Sequence, residues 1–176
     1  DMKKKIYRSK YEAYPFLSDE ENDLRCDFEI FTDEIASQIG LLHSLISDKS
    51  LKNELLTICE LVYHINPSLR TYLSVTVDEL NWLEGCALKL RDETKDRCNK
   101  FVLTQGCESA CQSHVIRTKF KALVRMMYKY VYRGNDLPNI LFDFANLLSN
   151  YFFYLSLKLN DINNVDEIEY ISRNYK

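Results

Sequence analysis

Glycine and proline are scarce in this chain, which has four glycines and three prolines among 176 residues. A chain of this length holds on average roughly 12 glycines and about 9 prolines. Sandwiches, barrels and doubly wound sheets need both residues for tight corners and for backbone with positive φ. Long helices joined by short loops need few of either. The scarcity therefore predicts an all-α fold, and the length suits one domain with a single sizeable core.

Five segments carry apolar residues at every third or fourth position, which is the period of one helix face. Asn66-Pro67 ends the second segment, and Gly134 ends the fourth. Thr76 and Glu79 have the spacing of a capping box at the start of the third. The predicted helices cover approximately 27–48, 51–65, 76–90, 107–133 and 139–160. They predict a five-helix bundle.

Composition divides the chain into three parts. Residues 1–24 have no sustained period and are predicted to form an N-terminal arm, residues 25–162 hold the five helices, and residues 163–176 form a polar tail that we expect to be loose. The fifth helix has more aromatic residues than one buried stripe needs, so we expect some rings to be covered by self-association. These aromatic residues are Phe142, Phe144, Tyr151, Phe152, Phe153 and Tyr154.

Charge, cysteine spacing and hydropathy exclude several classes of function. The net charge of −3 argues against a nucleic-acid partner, and the basic run 3–5 is interpreted as a solvated end. The six cysteines form no CxxC pair and fit no zinc spacing, so we predict reduced thiols and no metal site. Residues 137–157 are strongly apolar, but Asp143 and three asparagines interrupt them. We therefore predict a buried helix and no transmembrane segment, and no signal or transit peptide is visible.

A basic ridge follows the fourth helix at intervals of three and four residues. It consists of His114, Arg117, Lys121 and Arg125. One interpretation is a solvated charged face opposite the apolar stripe; the other is an anion site, because guanidinium and ammonium groups in line suit a polyphosphate. On the first helix, Asp33 and Glu34 point about 100° apart and cannot act together on one proton. For Asp33 we expect a neighbouring arginine as the partner.

Three segments of the chain resemble, in order, the sequence runs of one known family. Residues 101–118, which include His114, Arg117 and Thr118, resemble the family run F-(I/V)-L-P-G-G-S-x-x-A-A-x-L-H-x-A-R-T. Residues 23–40 resemble D-P-R-V-E-A-Y-G-T-V-D-E-L-N-S-x-I-G, and residues 146–151 resemble N-R-L-S-D-Y. The order and spacing agree over about residues 23–160, and together these segments resemble the PduO-type ATP:cob(I)alamin adenosyltransferase family.

The resemblance implies a five-helix bundle that forms a homotrimer, with ATP and the corrinoid bound at the subunit boundaries. Such enzymes transfer the 5′-deoxyadenosyl group of Mg-ATP to reduced cobalt and release triphosphate. It also implies a mitochondrial location, with a cytoplasmic one as the alternative. The residues to which the resemblance assigns cofactor binding are Lys10, Arg25, Asp33, His114, Arg117, Lys121, Arg125 and Asn150, and the remnants it assigns to catalysis are Arg117, Arg125 and Asn146.

The chain also departs from the family pattern, and always toward fewer charges and fewer backbone donors. The Gly-rich ATP loop that should follow Ile6-Tyr7 has no counterpart. Ala122 and Val124 stand where the pattern has Arg and Glu, and Leu147 where it has Arg. We therefore hypothesise a non-catalytic relative that serves as a structural or assembly subunit, in a homotrimer or in a larger complex. The alternatives are an active adenosyltransferase and a module that binds nucleotide or corrinoid without turnover.

Overall fold

The computed structural model describes residues 4–97 and 101–175, so Lys3 of the basic run and Cys98 lie outside it. Within these ranges the chain forms five α-helices, which confirms the predicted all-α bundle. They are α1 (Leu24–Ser44), α2 (Lys49–Ile65), α3 (Val77–Glu93), α4 (Glu108–Tyr132) and α5 (Asn139–Ile162). The first helix starts three residues before its predicted start, because the Asp23 side chain accepts a hydrogen bond from the Arg25 amide and caps it.

The other predicted helix ends have the expected local causes. Asp48 accepts from the amide of Leu51 at the start of α2. Thr76 and the Glu79 side chain form the predicted capping box of α3. Gly134, with φ of +92°, follows the end of α4, where a residue with a Cβ would be strained.

Helix α4 lies between α1 and α5 and runs antiparallel to both. Towards α1, Gln112 bonds to Gln38, and Lys119 pairs with Glu34. The residue numbers in these contacts rise along α4 while they fall along α1, so the two helices are antiparallel. Towards α5, Ser113 donates to the Phe152 carbonyl. Helix α2 packs on the other side of α1, and α3 packs on α5. The core between them contains the fully buried side chains of Phe28, Ile35, Phe120, Phe144, Tyr151 and Phe152.

The aromatic side chains of α5 divide between core and surface. Phe144, Tyr151 and Phe152 are fully buried. Phe142, Phe153 and Tyr154 remain partly exposed, as the surplus of rings predicts. In the described part of the chain, α5 is the helix whose length and apolar composition would allow it to span a membrane, and slightly more than half of its most apolar window is buried inside the bundle. That burial is typical of the core helix of a helical bundle.

Part of the C-terminal tail, which was predicted to be loose, is paired with the residues before α4. The Leu103 amide donates to the Ile168 carbonyl, and the Tyr170 amide donates to the Phe101 carbonyl, each over 2.8 Å. Together they form a short antiparallel bridge. The Arg97 guanidinium also holds the tail, donating to the Val165 carbonyl. This pairing joins segments about 67 positions apart, which a local sequence pattern does not reveal.

Candidate functional site

A cleft of about 1100 Å³ opens at the end of the bundle where the N-terminal arm meets α1 and α4. Four arginines from four separate segments line it: Arg8, Arg25, Arg70 and Arg133. We call this site the arginine cleft. Three carboxylates, those of Asp19, Glu20 and Asp23, line the same cleft. The lining therefore carries an excess of only one positive charge.

Two of the four arginines already hold carboxylates of the chain. The Arg25 guanidinium donates to both Asp23 oxygens, over 2.9 Å and 2.6 Å. This hydrogen bonding lowers the pKa of Asp23 to about 2. Arg70 donates to Glu29 over 2.6 Å and to Asp19 over 3.2 Å. Hydrogen bonding to Glu29 is the main cause that raises the pKa of Arg70.

The other two arginines have no carboxylate partner among the described residues. Arg133 donates to the backbone carbonyl of Asn22 over 2.9 Å. Arg8 is exposed. Their guanidinium groups are therefore the part of the cleft that remains open to an anionic ligand.

The first residue of the basic ridge on α4, His114, is buried and not solvated. His114 is 3% exposed and makes an edge-to-face contact with Phe153 of α5, so it is not part of a solvated face. Neither ring nitrogen has a hydrogen-bond partner among the described residues. Burial, with a smaller contribution from Arg117, lowers the pKa of His114 to about 4. The ridge therefore begins with a neutral, packed imidazole.

The remaining ridge residues become more exposed along the helix. Arg117 is partly buried, its Nε has no partner in the described chain, and burial lowers its pKa. Lys121 and Arg125 are exposed, and neither forms an ion pair with a described residue. Ala122 and Val124 lie between these two cations and offer no charge.

The other predicted site residues are not gathered at the ridge by contacts within the chain. The Asp33 carboxylate accepts from the Tyr63 hydroxyl over 2.8 Å, so its partner within the chain is a tyrosine and not an arginine. Lys10 lies over the ring of Tyr11 in the arm. The Asn146 side chain donates to the carbonyl of Phe142 one turn earlier on α5. Asn150, one turn further along α5, is exposed.

The predicted cations of the helices lie on two separate surfaces. Arg25 belongs to the arginine cleft, whereas Arg117, Lys121 and Arg125 belong to the ridge. Arg133, the C-cap of α4, lies 16 positions after Arg117, or about 24 Å along the helix axis at about 1.5 Å per residue. Sequence reasoning missed Arg8, Arg70 and Arg133, because lone arginines in the arm and after helix ends carry no motif.

The bridge between the tail and the residues before α4 creates an apolar surface that sequence reasoning also missed. Phe101 pairs with Tyr170, and Leu103 pairs with Ile168. Alternation along paired strands puts these four side chains on one side of the bridge. Each of the four is between 43% and 62% exposed. We call this surface the apolar ladder.

No resident metal site is evident in the described residues. No three His, Cys, Asp or Glu side chains in ranges 4–97 and 101–175 are placed to hold a metal ion. The described chain is thus a five-helix bundle that carries a cationic ridge, an arginine-lined cleft and an exposed apolar ladder.

Comparison with known proteins identifies the family. The model of the cobalamin adenosyltransferase family matches residues 20–159, so the chain belongs to this family. This confirms the family suggested by the sequence. A search of curated proteins gives no match.

Solved structures of variants of the PduO-type ATP:corrinoid adenosyltransferase from Lactobacillus reuteri have the same fold. One, complexed with cobalamin and ATP, is 25% identical with a TM-score of 0.77 and covers 88% of this chain and 87% of its own. A second, also complexed with cobalamin and ATP, is 24% identical with a TM-score of 0.76 and covers 86% and 88%. A third, complexed with ATP, is 27% identical with a TM-score of 0.75 and covers 85% and 88%.

Proposed function

We propose that this chain is a cobalamin adenosyltransferase family member that has lost turnover and serves as a structural or assembly subunit. One observation carries the proposal. Val124 and Leu147, which stand where the family pattern has Glu and Arg, pack against the hydrophobic core. Two positions of the pattern that should be charged therefore contribute to packing.

The remaining charges are a poor match to a nucleotide triphosphate. The ridge offers Lys121 and Arg125 as exposed cations, and a lysine lacks the bidentate fork of an arginine. Asp33 is already bonded to Tyr63. Losing a single transition-state donor can cost about 10²–10³ in rate, so several such losses together would abolish useful turnover.

Calorimetric titration with Mg-ATP tests this proposal first. We expect no binding at micromolar ATP, because few unpaired cations remain on the ridge. Micromolar affinity would contradict the proposal. The second step is an assay of adenosylcobalamin formation from cob(I)alamin and Mg-ATP, in which we expect no product above the rate without protein. Product formation would establish the alternative, an active adenosyltransferase.

A second candidate is a module that binds a corrinoid without turnover, and the apolar ladder is the observation that favours it. Four large apolar side chains exposed on one side form a surface suited to the flat face of a macrocycle. Cobalamin titration followed by absorbance tests it. Phe101→Asp should weaken binding, whereas Tyr72→Asp, which changes an exposed aromatic residue elsewhere, should not. If the two substitutions weaken cobalamin binding equally, the apolar ladder is not the corrinoid-binding surface.

The structural role requires a partner, and we propose a homotrimer or docking into a larger protein complex. The partly exposed rings Phe142, Phe153 and Tyr154 on α5 support this proposal. Sedimentation equilibrium of the purified protein would measure the mass. A mass equal to one 20.8 kDa chain would contradict the homotrimer.

A further inference from the structure

Two of the four guanidinium groups in the arginine cleft are paired with carboxylates of the same lining. Asp23 is held by Arg25 at the start of α1, and Asp19 is held by Arg70 beyond the end of α2. The Asp19–Arg70 pair is well shielded, with the side chains only 19% and 16% exposed. Carboxylate and phosphate oxygens are equivalent acceptors for an arginine fork.

The segment that brings these carboxylates is anchored on both sides of the pairs. The Cys26 thiol donates to the carbonyl of Phe16, whose ring lies 5.7 Å from the Arg70 guanidinium. Arg133 holds the carbonyl of Asn22 at the other end. The acidic segment is thus seated over the arginines by contacts that do not involve Asp19 or Asp23.

We propose that the arginine cleft is a polyanion site occupied by the chain's own carboxylates, with Asp19 and Asp23 as internal competitors of a compact ligand bearing several phosphate groups. Arg8 and Arg133, which have no carboxylate partner among the described residues, would contact such a ligand first. Full binding requires the ligand to displace both aspartates from Arg25 and Arg70. The inference rests on the proposed loss of turnover and adds a role for the acidic segment 19–23, which follows the residues that stand in place of the family's ATP loop.

Charge arithmetic predicts how strongly the competitors act. Four arginines oppose three carboxylates in the lining, an excess of one positive charge. Replacing Asp19 and Asp23 by Asn raises the excess to three and removes the charged partners of the Arg25 guanidinium and of one Arg70 nitrogen, while the Arg70 Nε stays on Glu29. Asn is as good an N-cap as Asp, so Asp23→Asn keeps the cap of α1.

Titration calorimetry with inorganic tripolyphosphate at low ionic strength tests the proposal. The Asp19→Asn/Asp23→Asn variant should bind at least about tenfold more tightly than the wild type, or about 1.4 kcal/mol. Glu20→Gln is the matched control, since it removes a carboxylate from the same lining without breaking an ion pair within the described chain. It should improve affinity by less than about threefold, the scale of one screened surface charge.

Further variants locate the site and protect the test against misfolding. Adding Arg8→Ala to the double variant should return the affinity towards that of the wild type. Asp19→Asn alone keeps the Asp23–Arg25 pair and should give an intermediate gain, so it replaces the double variant if that unfolds. Unchanged affinity in both Asn variants, or a gain that survives Arg8→Ala, overturns the proposal. Turnover by the wild type would contradict the proposed function but not this inference, because tripolyphosphate carries no adenosine.

Discussion

Arg70→Met tests the energetic centre of the arginine cleft. The Arg70 guanidinium donates to Glu29 over 2.6 Å, and the Glu29 side chain is 1% exposed. Removing the arginine leaves a buried carboxylate without its cation, and breaking such a pair costs about 3–5 kcal/mol. The contact between Arg70 and the Phe16 ring is lost as well. The free energy of unfolding should therefore fall by at least about 3 kcal/mol.

Thermal and urea unfolding monitored by circular dichroism measure this loss. For a chain of this size each kcal/mol lowers Tm by about 2–4 °C, so a decrease of about 10 °C is expected. Arg91→Met is the matched control, because its pair with Asp92 is exposed and joins the atoms over 3.4 Å. The control should cost less than about 1 kcal/mol.

A double substitution separates the buried charge from the lost packing. Glu29→Gln/Arg70→Met removes the buried carboxylate together with its cation, so it should be more stable than Arg70→Met alone. If Arg70→Met costs no more than Arg91→Met, Glu29 is solvated in solution and the account of a buried ion pair is refuted.

Three further substitutions and one labelling experiment test other parts of the structure. Gly106→Ala should destabilise the protein by several kcal/mol in urea unfolding, because Gly106 has φ of +130° and an added Cβ would lie 2.1 Å from the Asn160 amide oxygen. Burial lowers the pKa of His114 from 6.5 to about 4, so the unfolded chain takes up this proton before the folded one does. As the pH is lowered from 6.5 to 4, the free energy of unfolding of the wild type should therefore fall more steeply than that of His114→Phe. Parallel pH profiles would refute this. Arg97→Met should release the tail to limited proteolysis after residue 163, with unchanged susceptibility as the contrary result. The pKa of Cys86 is raised to about 12, chiefly by burial. Iodoacetamide at pH 8 should therefore label Cys86 much faster in the denatured protein than in the native one. Equal labelling rates in the two states would contradict its burial.

The helices could be predicted from the sequence because their causes are local. Apolar period, the capping box of Thr76 and Glu79, and Gly134 each act within a few residues, and the structure confirms them. The burial of His114 could not be predicted, because it depends on Phe153 of another helix. From spacing alone His114 belongs to a charged ridge, and only the packing of α4 on α5 makes it part of the interior.

The arginine cleft could not be predicted from the sequence, and the reason is related. Arg8, Arg25, Arg70 and Arg133 are far apart along the chain and meet only after α1, α2 and α4 have packed. The departures from the family pattern could be recognised in the sequence, but the ion pairs of the acidic segment could not. The structure adds that Asp19 and Asp23 hold two of the four arginines.

The changed positions of the family pattern share a physical direction. Val124 and Leu147 exchange charged groups of the pattern for side chains that pack against the core, and such exchanges commonly add stability where activity no longer demands a strained or charged site. A charge retained at these partly buried positions without a partner would cost desolvation free energy. On the proposed loss of triphosphate binding, uncharged residues at these positions are therefore favoured. The same reasoning explains why Lys121 and Arg125 persist as cations: they are exposed, and an exposed cation without a partner costs the fold almost nothing.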